Sequence, residues 1–258
     1  AAHRLKGFSD WDALLADPAV DAVIIATPPA PRFDLARRAL EAGKHLLLEK
    51  PIALHADQAR ELQRLALARG LSVAVDYEYR AVPLFMQAAR LLQAGAVGTP
   101  WLVKLDWLMG SRADPQRGWN WYAQADQGGG VIGALGTHAM DMLAWLIGPL
   151  GSVQALNSVS IKQRPHPDGG LAAVDASDVS LLQTVAHWQG RQDLPVPAQV
   201  SLSSVSRNGR GFCLDVVGSS GSLLLSSTNQ KDYVHGFELQ HAPLGEHFRA
   251  VEALSLIH

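Results

Sequence analysis

The chain has a single cysteine, Cys213, in 258 residues. That excludes an internal disulfide framework and a cysteine-rich zinc site, and it accords with a cytoplasmic protein. No apolar run approaches the ~20 residues of a membrane-spanning helix, so no membrane partner is expected. Neither sign of charge is in excess: 22 Lys and Arg face 24 Asp and Glu, a formal net charge of −2. Without a basic field there is nothing to hold a phosphate backbone, and no nucleic-acid partner is expected. Charged residues are 18% and hydrophobic residues 48%, the opposite of the balance that keeps a chain disordered. The histidines show neither H-E-x-x-H spacing nor carboxylates arranged for a metal, so none is expected. No G-x-S-x-G elbow and no P-loop motif occur, which disfavours an α/β-hydrolase and a P-loop NTPase. What is left is a globular chain long enough for one large domain or two small ones.

Helix and strand patterns alternate over the first 80 residues. Ser9-Asp10-Trp11-Asp12 reads as a capping box opening a helix that should stop near Pro18. Residues 21–26 (Asp-Ala-Val-Ile-Ile-Ala) form a short β-branched run, as expected of a strand buried on both faces. Thr27-Pro28-Pro29 ends it. Helices are expected over 33–42 and 56–68, closed by Gly43 and Gly70, with strands over 45–48 and 71–75. Strands alternating with helices of this length mean βαβ units and a parallel sheet. After residue 80 the rhythm changes. A helix over 82–94 and a strand over 101–108 lead into an irregular, Trp-rich stretch and a helix over 134–147. Long alternating runs with turn signals follow, as in an antiparallel sheet packed on one or two helices. Two domains are therefore expected, 1–80 and 81–258.

Two constellations could carry chemistry. Glu49-Lys50-Pro51 falls at the carboxyl end of an expected parallel strand, where open α/β sheets bind ligands. A partly buried lysine there can donate to, or exchange protons with, a substrate oxygen; a solvated loop lysine beside a turn proline is the plainer reading. The second constellation runs from Gly128-Gly129-Gly130 through Gly133 and Gly136 to His138 and Asp141. Gly128, Gly130 and Gly133 satisfy G-x-G-x-x-G, but no hydrophobic strand precedes them, so they are not a dinucleotide fingerprint. They read instead as a backbone that must pass close to something on its way into an apolar helix. On that helix His138 and Asp141 share a face, giving a general-base candidate with a carboxylate nearby or, equally, a satisfied core histidine. Trp119 and Trp121 could line a sugar pocket, although core or interface packing is the plainer role for either.

Taken in order, residues 21–29, Ala42-Gly43-Lys44-His45, Glu49-Lys50-Pro51, Tyr79-Arg80, Pro83, Gly98-Thr99-Pro100, the glycine-rich stretch with His138 and Asp141, and Gly218-Ser219-Ser220-Gly221 resemble the Gfo/Idh/MocA oxidoreductases. The resemblance covers nearly the whole chain. It implies an α/β protein: a Rossmann-type parallel sheet domain, here incomplete, followed by an α+β domain with a large open, mainly antiparallel sheet through which copies associate as a homo-oligomer. It implies hydride transfer between NAD or NADP and a sugar, cyclitol or similar polyol. Lys50 and His138 take the family's catalytic positions. Thr27, Pro28, Glu49, Lys50 and Pro51 match positions that line the dinucleotide, while Arg80 and Asp141 fall on the substrate side.

Three departures stand out. Relatives often carry an aspartate four residues before the histidine, where this chain has Ala134, whose methyl accepts nothing; Asp141 is then the remaining orienting candidate. Arg32 replaces a histidine common after the Thr-Pro turn. The family's opening strand, G-x-G-x-x-G turn and helix have no counterpart before Lys50, and the apolar pattern at Leu254-Ser255-Leu256-Ile257-His258 stops abruptly. The expectation is a fragment short at both ends, lacking the pyrophosphate-binding helix N-terminus and the residue that distinguishes NAD from NADP. Ala134 also keeps open a non-catalytic, dinucleotide-sensing homologue.

Overall fold

A computed structural model describes residues 6–229 and 235–253, so the run 254–258 lies outside the described residues. The chain divides into two compact units, the break falling between Asp76 and Tyr77, with residues 126–128 belonging to the first.

The first unit contains α1 (Trp11–Ala16), β1 (Ala22–Ile25), α2 (Pro29–Glu41), β2 (His45–Glu49), α3 (Ala56–Arg69) and β3 (Val73–Asp76). The strands form a parallel sheet in the order β1-β2-β3. Its core joins Val23, Ile25, Leu46 and Leu48 to Ala36, Ala39 and Leu40 of α2 and Leu62 and Ala66 of α3. Three expectations are corrected. The cap of α1 is Asp10, which accepts from the Ala13 amide at 2.9 Å, one residue later than Ser9. Helix α2 starts at Pro29, since proline at a first helical position sacrifices no hydrogen bond. Strand β1 buries one face only: Val23 and Ile25 pack inward while Ile24 is 70% exposed.

The second unit contains α4 (Pro83–Gln93), β4 (Pro100–Leu108), α5 (Thr137–Leu146), β5 (Leu150–Ser158), the hairpin β6 (Gln163–Pro165) and β7 (Leu171–Ala173), then β8 (Val179–His187), β9 (Pro195–Ser203), β10 (Gly211–Gly218), β11 (Gly221–Ser227), β12 (Glu238–Pro243) and β13 (Arg249–Val251). Eight strands make one sheet, in the order β13-β12-β11-β10-β4-β9-β8-β5. All neighbours are antiparallel except β4 and β9, which run parallel. One face is covered by α4 and α5: Phe85, Leu92, Met142 and Leu143 pack with Val103, Leu105, Leu202, Leu214, Val216 and Leu223. The alternation predicted for these strands is the observed burial, buried and more exposed residues in turn along β9, β10 and β11, broken only where Leu202–Ser203 and Gly211–Phe212 are buried in succession. The β6–β7 hairpin was not anticipated; the Pro- and Gly-containing run 165–170 supplies the turn inside it. No helix among the described residues is long and apolar enough to cross a membrane.

Candidate active site

In the first unit the expected cofactor-lining residues collect at the carboxyl ends of β1 and β2. Thr27, Pro28 and Pro29 carry the chain from β1 into α2, and Glu49, Lys50 and Pro51 leave β2 through a cis Lys50–Pro51 peptide. Glu49 turns back on its own chain, accepting from the Lys50 amide at 3.1 Å. Lys50 and Pro51 are half-buried. The residue that ties these two strand ends together is Arg32. It lies on α2, is 2% exposed, and its terminal nitrogens donate to the carbonyls of Thr27 and Pro51. Burial lowers the pKa of this guanidinium, and the charge of Glu49 works against that shift. The departure at Arg32 thus has a physical consequence: a planar fork bridges two carbonyls, which an imidazole with one free N–H could not do. The Thr27 hydroxyl is buried without a hydrogen-bond partner, an orphan of the kind that a polar ligand or a water satisfies.

In the second unit His138 stands on the first turn of α5, 4% exposed. Aromatic edges fix the ring. Tyr77 and Tyr79 meet it edge-on at centroid distances of 5.8 and 5.1 Å, and Trp107 lies tilted at 6.1 Å. Its Nε2 faces Glu78 Oε1 at 3.7 Å. Asp141, expected as the orienting carboxylate, is engaged elsewhere. Arg80 grips it bidentately, Nε to Oδ2 at 2.8 Å and Nη2 to Oδ1 at 2.7 Å, and the guanidinium lies 5.6 Å from the Trp145 ring centre. The bond to Asp141 raises the Arg80 pKa further. Burial first, and then the Asp141 charge, push the Tyr77 hydroxyl up, so that phenol stays protonated at neutral pH and can act only as a neutral donor or acceptor. Four residues therefore converge: a buried imidazole, a carboxylate at its nitrogen, and a neutralised Arg80–Asp141 pair.

The approach to α5 is built by its glycines. A Cβ on Gly129 would stand 2.4 Å from the Tyr122 carbonyl oxygen, and one on Gly130, where φ is +82°, would stand 2.6 Å from that of Ser177. The backbone does pass close to something, and that something is another stretch of the protein's own chain. Residues Ile132–Gly136 then form a π-helical turn before α5, where a plain α-helix from 134 was expected. With two glycines in five residues, the α-helical preference there is weak, and the Thr137 hydroxyl bonds back to the Gly133 carbonyl at 3.2 Å. Position 134, one turn before His138, is an alanine, whose methyl can neither donate nor accept a hydrogen bond.

Two residues of this arrangement were not singled out from sequence in their observed roles. Glu78 could have been found, because it sits in the same short segment as Tyr79 and Arg80; only the orientation of its turn, Glu78–Ala81, aims it at His138. Arg32 was noticed without a role, since nothing in one sequence says that two loop carbonyls converge on it. The structure assigns Trp119 to packing, its indole N–H donating to the Ala173 carbonyl at 2.8 Å.

Comparison with known proteins places these residues in a family. Residues 1–77 match the family model described as "Oxidoreductase family, NAD-binding Rossmann fold", and residues 85–224 match the "GFO/IDH/MocA C-terminal domain". The uncharacterized oxidoreductase sll0816 of Synechocystis sp. is 46% identical over 242 residues, which is 93% of this chain and 63% of that protein. The levoglucosan dehydrogenase of Pseudarthrobacter phenanthrenivorans is 32% identical over 178 residues, covering 67% of this chain and 46% of that protein. A solved structure of levoglucosan dehydrogenase, in complex with NADH and levoglucosan, is similar with a TM-score of 0.82 at 26% identity, covering 95% of this chain and 64% of that one. The chain thus spans less than two thirds of the length of the relatives it matches. Two family models covering successive parts of the chain, and a relative at 46% identity along 93% of it, show that this chain belongs to the Gfo/Idh/MocA oxidoreductase family.

Proposed function

We propose that the whole protein is an NAD- or NADP-dependent dehydrogenase acting on a hydroxyl-bearing carbon of a sugar, anhydrosugar or similar polyol. The observation that carries this reading is His138: a histidine held almost wholly out of water by three aromatic rings, with a carboxylate at its Nε2. A carboxylate there favours the protonated imidazole, the form a general base reaches once it has taken a proton. The levoglucosan dehydrogenase whose structure holds NADH and levoglucosan supports the substrate class.

The strand ends of the first unit fit a dinucleotide. The orphaned Thr27 hydroxyl is available to one, and Pro28, Glu49, Lys50 and Pro51 complete the set that would hold it. When bound, the nicotinamide accepts or returns the hydride. In the second unit, His138 takes a hydroxyl proton at Nε2; in the first unit, the Lys50 ammonium is a cation able to stabilise negative charge on a substrate oxygen. Arg80 and Asp141 stand on the substrate side, where their rigid pair presents donor and acceptor edges to neighbouring hydroxyls. The sheet face opposite α4 and α5 serves as the contact with a second copy of the chain.

Ala134 favours a second reading, a dinucleotide-sensing protein without turnover. The two separate in one experiment on the full-length protein. A panel of polyols, sugars and anhydrosugars is supplied with NAD or NADP, and reduced nicotinamide is followed at its absorbance maximum alongside calorimetric binding of the dinucleotide. Turnover with at least one hydroxylated substrate is expected. Tight binding with no turnover across the panel would leave the sensing reading, and absence of both would remove both.

A further inference from the structure

We propose that Glu78 is a positioning residue of this site: it holds the charge of protonated His138 and carries its proton out to water, a part for which the residue four positions before the histidine has no suitable side chain here. The inference rests on the dehydrogenase reading above. It starts from the accounting of carboxylates around the ring. Asp141, on the same helix face, has both oxygens committed to the Arg80 guanidinium at 2.8 and 2.7 Å, so its charge is largely cancelled toward His138. Ala134 offers only a methyl. Glu78 Oε1 is 3.7 Å from His138 Nε2. Tyr77, Tyr79 and Trp107 also pack on the ring, and Tyr77, whose pKa is raised, contributes no charge.

The exposures of the two side chains point in the direction of proton flow. That of His138 is 4% exposed and that of Glu78 is 44%. A buried imidazole that has accepted a proton carries an uncompensated charge in a nonpolar setting, and a nearby carboxylate removes most of that cost. In the step proposed, the substrate O–H bond breaks and an N–H bond forms at Nε2; a bound nicotinamide would take the hydride from the carbon that bears that oxygen. The N–H then breaks, an O–H forms on Glu78, and the half-exposed carboxylic acid releases the proton to solvent. A separation of 3.7 Å exceeds a hydrogen bond, so this second transfer runs through one bridging water or a small swing of the flexible Glu78 side chain.

The test compares Glu78→Gln and Glu78→Asp with the parent full-length protein in two independent readouts. First, imidazole nitrogen chemical shifts are followed against pH, His138 being assigned by its loss in His138→Asn. Removing the opposite charge lowers the His138 midpoint by about one pH unit in Glu78→Gln, and Glu78→Asp restores most of it. Second, in the oxidative direction the acid limb of kcat moves to lower pH by the same amount, while plateau kcat falls by roughly 10- to 100-fold with KM little changed. Acetate or formate in the buffer recovers part of the kcat of Glu78→Ala. An unchanged His138 midpoint in Glu78→Gln overturns the proposal, as does a kcat profile that drops uniformly with no shift and no rescue. A shifted midpoint in a protein that turns over no substrate upholds the Glu78–His138 coupling and refutes the dehydrogenase reading instead.

Discussion

Replacing Arg32 tests how the first unit builds its ligand-facing edge. The guanidinium is 2% exposed and donates to the carbonyls of Thr27 and Pro51, so one side chain fixes the ends of both β1 and β2. Arg32→Met keeps the apolar stem of the side chain and removes both donors. Hydrogen bonds to a charged group contribute about 1.5–3 kcal/mol each. Relief from burying the cation offsets part of their sum, since burial already disfavours the charged form here. The net loss expected is about 2–4 kcal/mol. Arg32→Lys, a single ammonium that cannot match the fork, should fall between parent and Met variant. Urea unfolding followed by circular dichroism reads the midpoints, and a thermal scan should show a drop of about 4–16 °C, at roughly 2–4 °C per kcal/mol for a chain of this size. If Arg32→Met unfolds within about 0.5 kcal/mol of the parent, a scale at which ordinary surface changes fall, the bridge is not what holds these strand ends.

Other predictions follow from single residues. Gly130→Ala places a Cβ 2.6 Å from the Ser177 oxygen at a φ of +82°, and strain plus overpacking should cost about 2–4 kcal/mol; a melting temperature equal to the parent's would show that the glycine is dispensable. Asp215 on the open sheet face has its pKa raised from 3.8, chiefly by burial, with Lys104 opposing. A carboxyl whose folded pKa is raised binds its proton more tightly in the folded state, so its contribution falls as pH rises from 3.8 through the folded value. Asp215→Asn should therefore be more stable than the parent at pH 7, by about 1 kcal/mol or less after solvent screening, and the advantage should vanish on acidification; a destabilised variant at pH 7 would contradict the sign.

The periodic parts of this fold were legible in the sequence because burial is periodic. Alternation along β9, β10 and β11 and the glycine stops at Gly43 and Gly70 follow from one-dimensional patterns. Lys50, His138 and Arg80 were singled out through their motifs, and the structure sets them at the end of β2, on the first turn of α5 and against Asp141. What escaped depends on contacts distant in sequence. The parallel pairing of β4 with β9 leaves no mark on either strand. The short β6–β7 hairpin is too brief to show a period. Asp141 was the carboxylate expected beside His138; a shared helix face gives proximity without saying which cation claims the acid first, and Arg80, 61 residues earlier, does. The close approach made by the glycines was foreseen from their density, while its partners, Tyr122 and Ser177, required the fold.

The most direct test of the central claim is single-turnover nicotinamide reduction by the full-length protein, parent against Lys50→Ala and His138→Asn, with dinucleotide affinity measured on the same samples. The account predicts that both variants lose about 10²- to 10⁴-fold in the chemical step, as expected for removal of a proton-transfer group, and that His138→Asn leaves dinucleotide affinity close to the parent value. Undiminished single-turnover rates in either variant would contradict the roles assigned here and, with them, the chemistry proposed for this chain.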